Sequence, residues 1–218
     1  MGTEGRPCTR VLAHVRLCAM TRRTICLFLW LACTAGPAAA QYYDDFGGDV
    51  PYVPTPPAVV EAMLKLGRIQ PEDFVIDLGC GDGRIVVMAA AKFGARGMGY
   101  DLNPERIAEA NGNAKQAGVA DRAKFVEKNL FEADVRQATL VTLYLLPDVN
   151  LRLRPRLLRE LKTGTRIVSH SFDMGEWKPD EKVELTGKTL YLWEVTEQAK
   201  AQFGETEAGD SGKPRPEK

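Results

Sequence analysis

The sequence predicts an α/β fold: a mostly parallel sheet of seven strands, helices on both faces, and an antiparallel hairpin at the C-terminal end. Three observations carry this. Short apolar runs alternate with helical, amphipathic ones between about residues 74 and 171. A glycine-rich turn follows the first apolar run and leads straight into a helix. Late in the chain, two strand-like runs flank Thr186-Gly187-Lys188-Thr189, which reads as a tight turn between paired strands.

The elements follow in order. Residues 41–55 form an arm containing Tyr42, Tyr43, Phe46 and Tyr52 among glycines and prolines. Thr55 is placed to cap a helix with Pro56 at its first position, and Val59, Val60, Met63 and Leu64 give that helix an apolar face. Phe74–Leu78 is the first strand. Arg84–Phe93 is an Ala/Val-rich helix stopped by Gly94, and Arg96–Asp101 is the second strand. Asn103 caps a helix that starts at Pro104 and runs to about Gln116. Lys124–Glu127 is the third strand, and Leu140–Leu146, apolar throughout its pleat, is the fourth. Asp148–Leu161 is helical and expected to bend or break at Pro155. Arg166–Ser171 is the fifth strand, and Lys182–Leu185 and Leu190–Val195 form the hairpin. The folded domain is thus expected over residues 56–197, with a polar, disordered tail over 198–218.

The ends of the chain have a different character. The first forty residues hold five arginines and one acid, Glu4, together with four of the five cysteines. Arg22 and Arg23 precede the apolar stretch Ile25–Ala35, and Ala38-Ala39-Ala40 offers a cleavage site before Gln41. Residues 1–40 therefore read as an N-terminal targeting segment, with a signal peptide over 20–40. The chain is expected to be exported or associated with the cell envelope. An uncleaved membrane anchor and a cytoplasmic location are the alternatives. Beyond residue 40 the chain carries 24 basic and 28 acidic groups, so the domain is mildly acidic and lacks the basic footprint of a nucleic-acid binder. Its one cysteine, Cys80, cannot form an internal disulfide and reads as a small buried residue in a tight loop; no Cys/His cluster has metal-ligand spacing.

The chemistry concentrates in Asp77-Leu78-Gly79-Cys80-Gly81-Asp82-Gly83-Arg84. Glycines let the backbone turn tightly and approach a ligand, and a helix N-terminus presents free N–H groups. A dinucleotide site has the pattern G-x-G-x-x-G, for a pyrophosphate. Here the pattern is G-x-G-x-G, with Asp77 two residues before it. A carboxylate in that place repels a diphosphate and favours a cation. S-adenosyl-L-methionine carries a sulfonium and an α-ammonium and suits it. Asp101, at the end of the second strand, is positioned to accept both ribose hydroxyls.

Pro51-Tyr52-Val53-Pro54-Thr55, the glycine segment through Ile85-Val86, and Gly99-Tyr100-Asp101-Leu102-Asn103-Pro104 together resemble the protein-lysine methyltransferases that modify the ATP synthase c subunit and the adenine nucleotide translocase. The resemblance covers roughly residues 50–180. It implies the Rossmann-like class I methyltransferase fold, S-adenosyl-L-methionine as cofactor, and a lysine amine of a protein, membrane proteins included, as acceptor. It implies that Asp77, Gly79, Gly81, Asp82, Gly83, Asp101 and Leu102 hold the cofactor, with Asn129 and Leu130 at the adenine. Relatives carry Asp-Leu at that last pair; Asn can accept the same hydrogen bond through its carbonyl oxygen. It further implies that the arm folds over the methionine end, bringing Tyr52 and Thr55 near the transferred methyl. Tyr144, Tyr52 and Phe172 are candidates to line a lysine channel, and His170 is either a base or a structural residue. A small-molecule methyltransferase of the same fold and a non-catalytic binding protein are the alternatives.

Overall fold

The structure, a computed structural model, describes residues 52–204. The leader, residues 41–51 of the arm and residues 205–218 lie outside the described residues. Twelve elements form among the described residues: α1 (Pro57–Leu66), β1 (Phe74–Leu78), α2 (Arg84–Phe93), β2 (Arg96–Asp101), α3 (Pro104–Gln116), β3 (Ala123–Glu127), β4 (Leu140–Leu143), α4 (Pro147–Glu160), β5 (Arg166–His170), β6 (Glu181–Leu185), β7 (Lys188–Glu194) and α5 (Glu197–Phe203).

The strands form one sheet in the order β3-β2-β1-β4-β5-β7-β6. The first five are parallel; β7 is antiparallel to both β5 and β6. This is the predicted parallel sheet closed by a hairpin. Strand order reverses between β1 and β4, so the turns leaving those two strands diverge and open a crevice at the C-terminal edge of the sheet. In register, Leu78 of β1 stands beside Leu143 of β4, and Leu143 beside Ser169 of β5. The glycine turn, Tyr144 and His170 thereby share one edge.

Burial explains the layering. α1 turns Val59, Val60, Met63 and Leu64 onto Val75, Leu140 and Val168 of the sheet. α4 buries Val149, Leu153, Leu157 and Leu158 with Ile76, Val141 and Trp193. Ala110 and Ala114 of α3 pack with Val86 and Ala90 of α2 against Phe125. Small residues at these helix positions allow close approach.

Four expectations are corrected. α4 is continuous through Pro155. A proline inside a helix removes one hydrogen bond, but the buried face of α4 outweighs that loss, and Leu151, whose carbonyl loses its donor, sits on the exposed side. Thr55 does not cap α1: Pro56 occupies the N-cap, no side-chain bond caps the helix, and the helix begins at Pro57. The segment expected to be disordered from 198 begins as helix. Thr196 caps α5 by accepting from the Ala199 amide at 3.1 Å, and Phe203 stacks on Trp177. The fourth strand also ends earlier, at Leu143, leaving Tyr144 in the turn beyond it. Among the described residues no helix is long and apolar enough to cross a membrane.

Candidate active site at the sheet switch point

The glycine turn has the backbone that its sequence requires. Gly79, Gly81 and Gly83 all have positive φ. At Gly81 the need is also steric: a Cβ there would lie 2.4 Å from the Tyr52 ring. The turn is tied to β2, because the amides of Gly79 and Cys80 both donate to the Tyr100 carbonyl at 2.8 and 3.0 Å. Cys80 is buried beneath it. Burial and neighbouring carboxylates push its thiol well above the ordinary range, so it is an inert core group.

Three carboxylates converge here. Asp77 is buried, and its Oδ1 accepts from the Thr142 hydroxyl at 2.7 Å. Burial, with smaller contributions from Asp101 and Asp82, pushes its pKa up to about 7 despite the Thr142 bond. Asp77 therefore lies beneath the site as a buried group, neutral below about pH 7 and charged above it. Asp101 is half-buried; its Oδ2 accepts from the Gly81 amide at 2.8 Å and its Oδ1 from the Asn103 amide at 2.9 Å. Each oxygen keeps a further lone pair, enough for a pair of ribose hydroxyls. Asp82 is held low: burial pushes it up, but hydrogen bonds from Arg84 outweigh that. Its carboxylate accepts from Arg84 Nε at 2.8 Å and Nη2 at 2.6 Å.

Asn129 follows β3 at the same edge. Its carbonyl oxygen accepts from the Phe131 amide at 2.9 Å, so the lone pair left over is what remains for an adenine amine. Exposed Leu102 and half-buried Leu130 follow Asp101 and Asn129 in the chain and supply apolar surface for a planar base.

The acceptor side is aromatic. Tyr144 packs against His170 with the rings tilted by 31° and their centroids 3.9 Å apart, and stacks on Phe172 at 6.4 Å. Thr55, released from capping, lies with its hydroxyl 3.4 Å from His170 Nδ1. His170 is buried, and desolvation, helped by Lys188, drops its pKa to about 4. It is neutral at physiological pH. Of the two readings of His170, this environment favours the structural one.

Sequence reasoning missed what supports this wall. Asn150 of α4 is fully buried, and its amide donates toward Ser169 Oγ and the Phe172 and Asp173 carbonyls, each at 3.3 Å. Ser171 takes a positive φ of 68°. That conformation is strained for a residue with a Cβ and sits between His170 and Phe172. The one available signal was Asn150 itself, a polar residue beside the apolar stripe of Val149 and Leu153.

A cation fits this place, because three carboxylates near enough to influence one another stand at the glycine turn. Acceptors for ribose hydroxyls and apolar surface for a base stand beside it. The parallel sheet with its terminal hairpin and this edge define an S-adenosylmethionine-dependent class I methyltransferase. The profile of the ANTKMT methyltransferase domain matches residues 77–181. A protein-lysine N-methyltransferase of Saccharolobus islandicus is 46% identical over 153 residues, covering 68% of this chain and 95% of that protein. The adenine nucleotide translocase lysine N-methyltransferase of Mus musculus is 40% identical over 131 residues, 60% of this chain and 56% of the mouse protein. A solved structure described as an RNA methyltransferase from Salinibacter ruber, in complex with S-adenosyl-L-homocysteine, is 53% identical with a TM-score of 0.66, covering 66% of this chain and 95% of that one. The chain belongs to the protein-lysine N-methyltransferase family.

Proposed function

We propose that this enzyme methylates a lysine amine of an envelope or membrane-associated protein, and that Tyr52, Thr55 and Tyr144 form the wall past which the lysine enters. The observation that supports this most is the Tyr144–His170–Phe172 group beside the carboxylate-rich glycine turn. When bound, S-adenosylmethionine supplies a methyl carbon already activated on sulfur. The chain must then align a nucleophile, exclude water and keep the amine neutral. A lysine has a reference pKa of ~10.4. His170, at about 4, is far too weak a base to take that proton. Desolvation against aromatic rings lowers the lysine pKa instead, with bulk water taking the proton before the amine is enclosed. Asp77, Asp82 and Asp101 supply the field that holds the cationic cofactor; Leu102, Asn129 and Leu130 flank its base.

The leader, read from its sequence as a signal peptide, supports an envelope location, and the translocase relative supports a membrane-associated substrate. A second reading, an RNA substrate, comes from the Salinibacter ruber relative alone. The mildly acidic domain disfavours it, because phosphate contacts need clustered Lys and Arg. The test is to incubate the purified enzyme with methyl-labelled S-adenosylmethionine and an extract lacking the enzyme, then separate protein, RNA and small molecules. Label in protein, stable to base and recovered as methyl-lysine, is expected. Label confined to RNA or to small molecules would overturn the reading.

A further inference from the structure

Arg84 has a part in none of the chemistry above, yet it touches both sides of the site. Its Nε and Nη2 grip Asp82 in a two-pronged ion pair, and its Nη1 donates to the Thr55 carbonyl at 2.8 Å. One guanidinium thus joins the glycine turn to the arm. The planar fork of Arg can do this with fixed geometry; a Lys ammonium cannot. The backbone under Asp82 is itself anchored, because Asn113 of α3 donates to the Asp82 carbonyl at 2.9 Å.

A second contact secures the same arm three residues earlier. The Tyr52 ring lies against Gly81, and the Arg106 guanidinium stands 4.5 Å from its centroid. Arg106 is paired in turn with Glu109 on the next turn of α3 at 2.5 Å. Burial, and then the Asp82 charge, push the Tyr52 phenol up, which keeps it neutral. Between these two points the arm is pinned across the turn, and Thr55 is delivered to His170.

We propose that Arg84 is a positioning residue: it latches the arm to the glycine turn, and so sets where Tyr52 and Thr55 stand and how quickly the cofactor product escapes. The proposal rests on the reading of the glycine turn as the cofactor site. It explains why both oxygens of Asp82, expected as a cofactor ligand, bond Arg84. It also explains why Arg follows the last glycine, where a helix N-terminus ordinarily favours an acid.

The experiment uses the full chain with Arg84→Ala, Arg84→Lys and, as a matched control, Arg136→Ala. Arg136 makes the same two-pronged pair with Asp134, two residues before it, away from the arm. Two quantities are read: the rate of chymotryptic cleavage between Tyr52 and Val53, identified by N-terminal sequencing, and the release rate of S-adenosylhomocysteine by stopped flow. Loss of charge-assisted bonds of this kind predicts roughly tenfold or greater acceleration of both in Arg84→Ala. Arg84→Lys should be intermediate and Arg136→Ala unchanged, with kcat falling more than cofactor KM rises. If Arg84→Ala fails to fold, Arg84→Lys carries the test alone. Cleavage and release rates equal to wild type in a folded Arg84 variant, or equal changes in Arg136→Ala, would overturn the latch. Failure of the wild type to bind S-adenosylhomocysteine would instead count against the cofactor reading beneath it.

Discussion

At the scale of single residues, Asp77 and His170 make opposite demands on pH. Asp77 has a folded pKa of about 7, above the ~3.9 of a free carboxyl, so the folded state holds a proton that the unfolded state has lost. Its contribution to stability is complete below ~4 and fades as pH rises toward 7. A bound cation favours the ionised form. Affinity for S-adenosylmethionine should therefore rise with pH, by at most about tenfold per unit, and level off above 7. Asp77→Asn should remove that rise, bind the cofactor more weakly, and be more stable than wild type at pH 8 without ligand. Calorimetry across pH 5.5–8.5, a range of about three units around the shifted group, checks all three. His170 works in the other direction. Its folded pKa of about 4 lies below the ~6.5 of a free imidazole, so its stability contribution is present above 6.5 and lost as pH falls toward 4. The pH–rate profile of a His170→Asn variant should keep the shape of the wild type between pH 6 and 9, a range spanning roughly the reference His and Cys values. A lost limb would show that His170 acts as a base after all.

Thr55 shows where a local rule fails. A threonine before two prolines reads as a helix cap, but Pro56 takes the cap position and the hydroxyl turns to His170 instead. Thr55→Ala should therefore slow methyl transfer at least severalfold while costing less than the ~1 kcal/mol of a lost cap. Steady-state kinetics and thermal melts on the same variant separate the two effects.

At the scale of elements, the legible parts were those written in local chemistry. Asn103 caps α3 through its side-chain oxygen, accepting from the Glu105 and Arg106 amides, and Pro104 starts the helix as expected. The glycine turn, the parallel strands and the late hairpin fall where their residues announce them. Contacts across long stretches of chain were not legible. Arg84 meets Thr55 across 29 positions, and Arg166 meets Asp73 across 93. The latter pair is a clasp at the opposite edge of the sheet. Arg166 also donates to the carbonyls of Gly67 and Arg68 at 2.6 and 2.9 Å, while Thr139 donates to Asp73 at 2.7 Å. Removing one partner of a buried ion pair costs about 3–5 kcal/mol. Asp73→Ala should lower the unfolding free energy by that order while leaving cofactor affinity unchanged, because the clasp is remote from the switch point. Denaturant melts and cofactor titration of the variant provide the check. α5 was hidden for another reason: the polar composition beyond residue 203 masked a short capped helix before it.

At the scale of the whole molecule, topology does what no single motif could. Reversal of strand order between β1 and β4 brings residues from the arm, the glycine turn, the β4 turn and the end of β5 to one edge. One side of that edge is negative and suits a sulfonium; the other is aromatic and suits a lysine side chain, which must be dried before it reacts. The most direct test of this account is mass spectrometry of the membrane-fraction proteome from cells with and without the gene, searched for lysines carrying one, two or three methyl groups. The account predicts at least one methylated lysine that disappears on deletion and returns with the wild-type gene but not with Asp101→Ala. An unchanged lysine-methylation pattern, alongside a methylated RNA nucleotide or small molecule that vanishes on deletion, would contradict it.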